Sequence, residues 1–269
     1  MSTPTSAPMD RIAAIDATTR RVPRFGGFNL TVLRIELTRM LRNRRTIVFT
    51  FVFPAALFLA IGSSSGWQER VGHGNVAAYI MVSMALYGAA LTAASGGAMV
   101  AMERATGWSR QLRLTPLAPP AYIAMKALIA LVLAALAVAA VNVVGLVQGK
   151  AHMELAAWIG CGLLVLACSS VFAALGLFAG YLVPGENAMQ VLGPGLALLS
   201  FLGNVFIPMD EGSWIYHIAQ WTPMFGVAEI SRAPLTGDLA WTSVLNAVAW
   251  LAIFAGGAAW RMARDTARV

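Results

Sequence analysis

Apolar residues fill this chain in long blocks, and charged side chains mark the ends of the blocks. Uncharged runs cover 23 residues between Arg45 and Glu69, 32 between Arg70 and Glu103, and 23 between Lys126 and Lys150. Three more cover 31 residues between Glu154 and Glu186, 23 between Glu186 and Asp210, and 22 between Asp238 and Arg261. A helix needs about 20 mostly apolar residues to cross the hydrocarbon core of a bilayer. Each run therefore predicts one membrane span, placed at 46–65, 77–102, 121–147, 156–182, 188–208 and 242–260. A seventh run, 212–228, has only 17 residues, is interrupted by Pro223, and carries Trp214, His217, Gln220 and Trp221. That pattern predicts two short re-entrant or interfacial helices rather than a span.

Ahead of the first span, Leu30, Leu33, Leu37, Met40 and Leu41 recur at helical spacing, with Arg34, Thr38, Arg42 and Arg45 on another face. This predicts an amphipathic elbow helix at a membrane surface, with its basic side chains at the lipid headgroups. The expected fold is all-α: a polytopic bundle of six transmembrane helices, an elbow helix, a short helix in a connecting loop and short re-entrant helices. The expected organisation is a flexible N-terminal segment over 1–28, a transmembrane domain over 29–260 and a tail over 261–269. Met1 to Gly27 is polar, basic and rich in Ala, Thr and Pro, without the apolar core of a cleaved leader. It is expected to be retained and loosely ordered.

Composition agrees with this picture. Of 269 residues, 58% are hydrophobic and 12% charged, against roughly a quarter charged in soluble domains; the mean hydropathy is +0.70. The net charge of +7 raises the question of nucleic acid, but the basic residues are distributed by topology. Sixteen of the 19 fall before the first span, between Arg104 and Lys126, or after the last span. Only Arg70, Lys150 and Arg232 belong to the opposite side. The positive-inside bias places both termini in the cytoplasm of a multi-pass protein of the inner (plasma) membrane, and no nucleic-acid partner is expected. Cys161 and Cys168 lie seven residues apart in one apolar run, about 10 Å along a helix and beyond disulfide reach, so both are expected to be free, buried thiols.

The six runs contain no Asp, Glu, Lys or Arg, and His73, His152 and His217 sit at loop positions. Ionisable side chains at membrane depth are the usual mark of a proton relay or an intramembrane enzyme, so neither is indicated. Gly193-Pro194-Gly195 is expected to kink the fifth span. The sequence contains no nucleophile elbow and no cluster of metal ligands. Its nearest approach to a phosphate-binding loop, Gly145 to Lys150, has the wrong glycine spacing and ends Lys150-Ala151 where Ser or Thr is needed. The chain is not expected to be an enzyme, or to hold a cofactor or metal; any ATP would be bound with its Mg by another subunit.

The segment Met102 to Leu117 is the most informative loop. Charged residues cluster at the membrane exit, Gly107 permits a turn, and a short amphipathic helix from Trp108 to Leu114 is predicted to end before Pro116. Its apolar residues suit a docked surface. Here the chain resembles the membrane-spanning permease of ABC-2 type ABC transporters, similar to bacterial drug and antibiotic exporters of the daunorubicin-resistance type. The resemblance rests on Glu103, Arg104, Gly107, Leu112, Thr115 and Pro116 after the second span. Further on it rests on Pro208, Trp214, Thr222, Pro223 and Arg232. It covers essentially residues 30 to 260, and departs from the family at Trp108-Ser109-Arg110, where acidic residues are commoner.

The resemblance implies a coupling helix that docks into an ABC ATP-binding subunit, formed by Glu103, Arg104, Gly107, Trp108, Leu112, Arg113, Thr115 and Pro116. It also implies short extracellular re-entrant helices between the fifth and sixth spans; the apolar run 212–228 is read as such a pair closing the exit of the pathway, a gate of Pro208, Trp214, Trp221, Pro223 and Phe225, with an ordinary interfacial anchor as the alternative. Two permease subunits, expected as a homodimer, would join two ATPase subunits to export an apolar or amphipathic drug, antibiotic or lipid. The alternative is a secondary transporter or channel that works without an ATPase.

Overall fold

The computed structural model describes residues 30–61, 68–107, 119–183, 187–206, 209 and 212–266. Helix α1 (Leu30–Leu41) is followed by one helical run, α2 (Arg44–Ile47), a π-helical turn (Val48–Val52) and α3 (Phe53–Ile61). The wide turn has a local cause. Pro54 has no N–H to offer the carbonyl four residues back, and the Phe53 N–H instead reaches the Val48 carbonyl five residues back. Long helices follow as α4 (Val76–Ala105), α5 (Pro119–Gln148) and α6 (Leu155–Leu182). The chain continues through α7 (Asn187–Leu202), two short helices, α8 (Trp214–Ala219) and α9 (Pro223–Thr236), and ends in α10 (Trp241–Thr266).

Four of these elements are long and apolar enough to cross a membrane: Val76–Ala105, Ala121–Gln148, Leu155–Leu182 and Trp241–Arg264. Thr50–Ile61 and Gln190–Leu202 are apolar but shorter. The fifth predicted span was drawn to residue 208, whereas its helix ends at Leu202. Two features stop it there. The Gly203 backbone lies so close to Met224 that a Cβ would sit 2.4 Å from the Met224 side chain, and Asn204 turns into the left-handed region with φ 60°. The helix runs on through Pro194.

Helix α4 is the centre of the bundle, with 89% of its apolar window buried; the window of α10 is 22% buried. A residue inside a protein core and one facing lipid are equally apolar, so burial rather than composition separates the central helix from the outer ones. Contact between α4 and α6 is backbone on backbone. A Cβ on Gly176 would lie 2.0 Å from the Ala94 carbonyl oxygen, and one on Gly97 would lie 2.5 Å from that of Ala173. Farther out, α10 packs on α6 through Gly257 against Phe178, and α3 packs on α4 through Pro54 against Gly88. Cys161 and Cys168 on α6 are free and buried, as expected.

One end of the bundle is stitched by a two-stranded antiparallel hairpin, β1 (Arg70–Val71) with β2 (Gly74–Asn75). Asn75 caps α4 by accepting the Ala78 N–H at 3.0 Å. The same side chain accepts the His152 N–H at 3.0 Å and donates to the Lys150 carbonyl at 2.8 Å. The His73 N–H donates to the Leu235 carbonyl at 2.8 Å. The starts of α4 and α6 and the end of α9 are thereby held together at this hairpin end. The opposite end gathers α1, Ala105 and Leu182.

Candidate functional site

At the end opposite the hairpin, Glu103 and Arg104 close the last turn of α4 and point to different partners. Neighbouring positions on a helix do not face one another. The Glu103 carboxylate accepts from Lys126 Nζ and from the Tyr122 hydroxyl, both on α5. Arg104 instead donates to the Gly180 and Tyr181 carbonyls at 3.4 Å, and its guanidinium lies 5.2 Å from the Tyr181 ring centroid. It thus binds the last carbonyls of α6, where a cation complements the helix dipole. The acidic-basic pair in the sequence is two separate anchors, one to each neighbouring helix.

Lys126 also donates to Glu36 of α1 at 2.8 Å. Lys126 is 4% exposed and the Glu36 side chain 17%, so one buried ammonium is shared by two carboxylates from different helices. Around it, Leu33, Leu37, Met40 and Leu41 of α1 pack against Met125, Ile129 and Leu133 of α5. The apolar stripe of α1 therefore docks on α5, while Leu30 stays exposed. Glu36, Tyr122 and Lys126 were not among the sequence candidates. Their signal was the four-residue spacing of Tyr122 and Lys126, which puts a phenol and an ammonium on one face at the start of an apolar helix.

Gly107 has φ +73° and open space around its Cα, which is the turn expected of it. Trp108, Leu112, Arg113, Thr115 and Pro116 lie outside the described residues, as does Pro208.

Towards the hairpin end, Pro223 divides the seventh apolar run into α8 and α9 as the sequence predicts. Ser213 caps α8 by accepting the Tyr216 N–H, and Thr222 caps α9 by accepting the Phe225 N–H. Pro223 takes the first helical position, where a missing N–H costs nothing. The turn between them reaches well along α10. Asn246 Nδ2 donates to the Gln220 carbonyl at 2.8 Å and Trp250 Nε1 to the Trp221 carbonyl at 2.9 Å. Trp250 is nine residues into α10, about 14 Å along its axis. Of the gate candidates, Trp214 and Trp221 are exposed, while Pro223 and Phe225 are buried. The Phe225 ring meets Tyr216 edge-on at 5.3 Å.

Helix α9 runs past the seventh apolar run and carries Arg232, one of the three basic residues that the sequence assigns to the side opposite the termini. Arg232 is 1% exposed. It donates to the Tyr79 hydroxyl and, at 2.8 Å, to the Asn204 carbonyl, and its guanidinium lies 4.4 Å from the Tyr79 ring centroid. No acidic partner meets it among the described residues, and Nε is buried without an acceptor. A guanidinium keeps its charge inside a protein, so Arg232 is a buried cation held by a hydroxyl and a carbonyl.

The sequence profile of the ABC-2 type transporter family matches residues 29–235. The chain belongs to the ABC-2 type transporter family. It is also 23% identical over 228 residues to a Bacillus subtilis (strain 168) protein provisionally named transport permease YvfS, covering 81% of this chain and 90% of that relative. An ABC-2 permease is the multi-pass membrane subunit of an ABC transporter and works with a separate ATP-binding subunit. The matched region runs from just before α1 to the end of α9. It therefore takes in both the shared ammonium and the buried guanidinium.

Proposed function

We propose that this permease is one half of the transmembrane pathway of an ATP-driven exporter in the inner (plasma) membrane, pairing with a second copy of itself and two ATPase subunits. The observation that carries the reading is the anchoring of the loop between α4 and α5. Glu103 precedes that loop, Tyr122 and Lys126 follow it, and both donate to the Glu103 carboxylate. A segment held at both ends in this way can pass a push from a docked ATPase into two helices at once. On this reading Glu103, Arg104, Gly107, Trp108, Leu112, Arg113, Thr115 and Pro116 form the coupling region. The run is completed to six spans by the helices at 44–61 and 187–202, and α8 and α9 form a re-entrant pair that closes the outer exit. The depth of the Gln220–Trp221 turn beside Asn246 and Trp250 supports the re-entrant placement. Exposed Trp214 and Trp221 suit its lipid-facing rim, and buried Phe225 its packed side. The Ala, Leu, Val, Met and Phe of the spans suit an apolar or amphipathic cargo.

The purified chain is expected to hydrolyse no ATP by itself, and hydrolysis coupled to cargo movement is expected only after reconstitution with its ATPase subunit. Stoichiometric ATP binding by the isolated permease would overturn this division of labour. Topology is checked separately with single cysteines and a membrane-impermeant thiol reagent on intact cells. Cysteines at Gly107 and Ala263 are expected to be shielded and one at Gly237 to react. Labelling at Gly107 from outside would reverse the orientation.

A further inference from the structure

The contact between α1 and α5 combines two kinds of interaction. Leu33, Leu37, Met40 and Leu41 against Met125, Ile129 and Leu133 form an apolar surface, and such contact is non-directional. It holds α1 near α5 without fixing its register. The Glu36 to Lys126 ion pair at 2.8 Å adds a directional contact. The ammonium has a second, more deeply buried arm to Glu103, whose other oxygen is held by Tyr122. The two arms differ in exposure. The Glu103 side chain is 9% exposed and the Glu36 side chain 17%. Lys126 thus ties Glu36 of α1 to Glu103 of α4.

Stability alone does not account for such a cluster, because buried ion pairs are often no better for stability than apolar residues of the same volume. Its position does. Glu103 ends the helix before the connecting loop and Lys126 lies near the start of the helix after it, so the arm to Glu103 clasps the two ends of the loop. The other arm runs from that clasp to α1, which leads directly into the helical run at 44–61.

We propose that Lys126 and Glu36 are positioning residues for transport: a pin that makes the elbow helix, and with it the first predicted span, move with the α4–α5 loop when the ATPase acts. The inference rests on the ATP-driven reading above. It assigns to the coupling machinery two residues outside the loop itself.

The test uses the full permease–ATPase complex in lipid nanodiscs, with Cys161 and Cys168 replaced by alanine and a single spin label at Ala105→Cys or Ile35→Cys. Both positions are exposed. Spectra are compared without nucleotide and after trapping with Mg·ATP and vanadate. In the otherwise native complex both labels are expected to change. Glu36→Gln keeps the Lys126–Glu103–Tyr122 clasp, so the change at Ala105 is expected to persist and the change at Ile35 to be lost, with ATP hydrolysis continuing. Lys126→Arg, which can still reach both carboxylates, is expected to keep both changes. If Ile35 still responds in Glu36→Gln while Ala105 responds normally, the pin is overturned and the ATP-driven reading stands. If Ala105 fails to respond even in the native complex, the ATP-driven reading falls and the pin with it. Equal loss of both responses together with loss of complex in Glu36→Gln would make the contact a structural staple and also overturn the proposal.

Discussion

Gly176→Val is expected to remove most of the folded permease from the membrane, whereas Gly162→Ala on the same helix is expected to be neutral or slightly stabilising. At Gly176 the obstacle to a Cβ is the Ala94 carbonyl oxygen at 2.0 Å, with the Ala94 carbonyl carbon and Cα both at 2.7 Å. These are backbone atoms of a 30-residue helix, and no rotamer change can move them. The two helices must separate, which breaks the adjoining close contacts at Gly97, at Ala173 and where Gly180 meets Ala98. Inside a bilayer the loss is severe, because helix association there depends on close packing rather than on escape from water. Overpacking a fitted core costs about 1–3 kcal/mol, sometimes more, and a backbone clash between the two central helices belongs at or above the top of that range. Gly162 has nothing within 4 Å of its would-be Cβ, so alanine there brings only the helix-propensity gain of up to about 1 kcal/mol. Membrane abundance and thermal unfolding of the detergent-purified protein read both variants. Equal abundance of the two would show that the α4–α6 contact tolerates a looser crossing.

What the sequence reveals of this fold follows from what a membrane forbids. A charge is costly in hydrocarbon, so the spans drawn from the uncharged runs match α4, α5 and α6 closely at both ends and α10 at its start, although α10 continues past its run to Thr266. The same rule cannot say what a charge at the edge of a run is doing. Lys126 and Arg232 read as charges that mark a side of the membrane, yet one is 4% and the other 1% exposed. A boundary charge bathed in water and one paired inside the protein look alike in sequence. Pairing was equally hidden. Glu103 and Arg104 are adjacent in the chain but one helical step apart in direction, and Glu36 meets Lys126 across 90 residues. Local punctuation was more readable, because Pro223 after a Thr cap and the turn at Gly107 act through their own backbone. The close-packing spacing of Gly176 and Gly180 is visible too, but among 25 glycines nothing in the sequence says which helix it meets. Residues 108–118 and Pro208, where several coupling and gate candidates fall, lie outside the described structure, so their roles rest on the resemblance and on the geometry of their neighbours.

Arg232→Met is expected to lower the unfolding midpoint of the purified permease by roughly 5–10 °C, and Arg232→Lys to lower it at least as much. The guanidinium joins three elements, with Tyr79 near the start of α4 on one side, the Asn204 carbonyl beyond α7 on another, and its own helix α9. Hydrogen bonds from a charged donor contribute about 1.5–3 kcal/mol each and the contact with the Tyr79 ring up to about 2. The desolvation of a buried ion that meets no acidic partner among the described residues costs several kcal/mol. In the native protein these nearly offset one another, so the loss in a variant comes chiefly from what is left behind. Methionine fills the space of the stem but strands the Asn204 carbonyl, at about 1–3 kcal/mol, and frees α9 from its neighbours. For a membrane bundle of this size about 2–3 kcal/mol corresponds to the stated midpoint shift. Lysine keeps the charge and its desolvation cost, but a single ammonium lacks the planar fork that reaches hydroxyl and carbonyl together while lying over a ring. The order of the two variants decides what Arg232 is for. A binding site that needs only positive charge would favour lysine over methionine, and a midpoint for Arg232→Lys near the native value would remove the fork from the account.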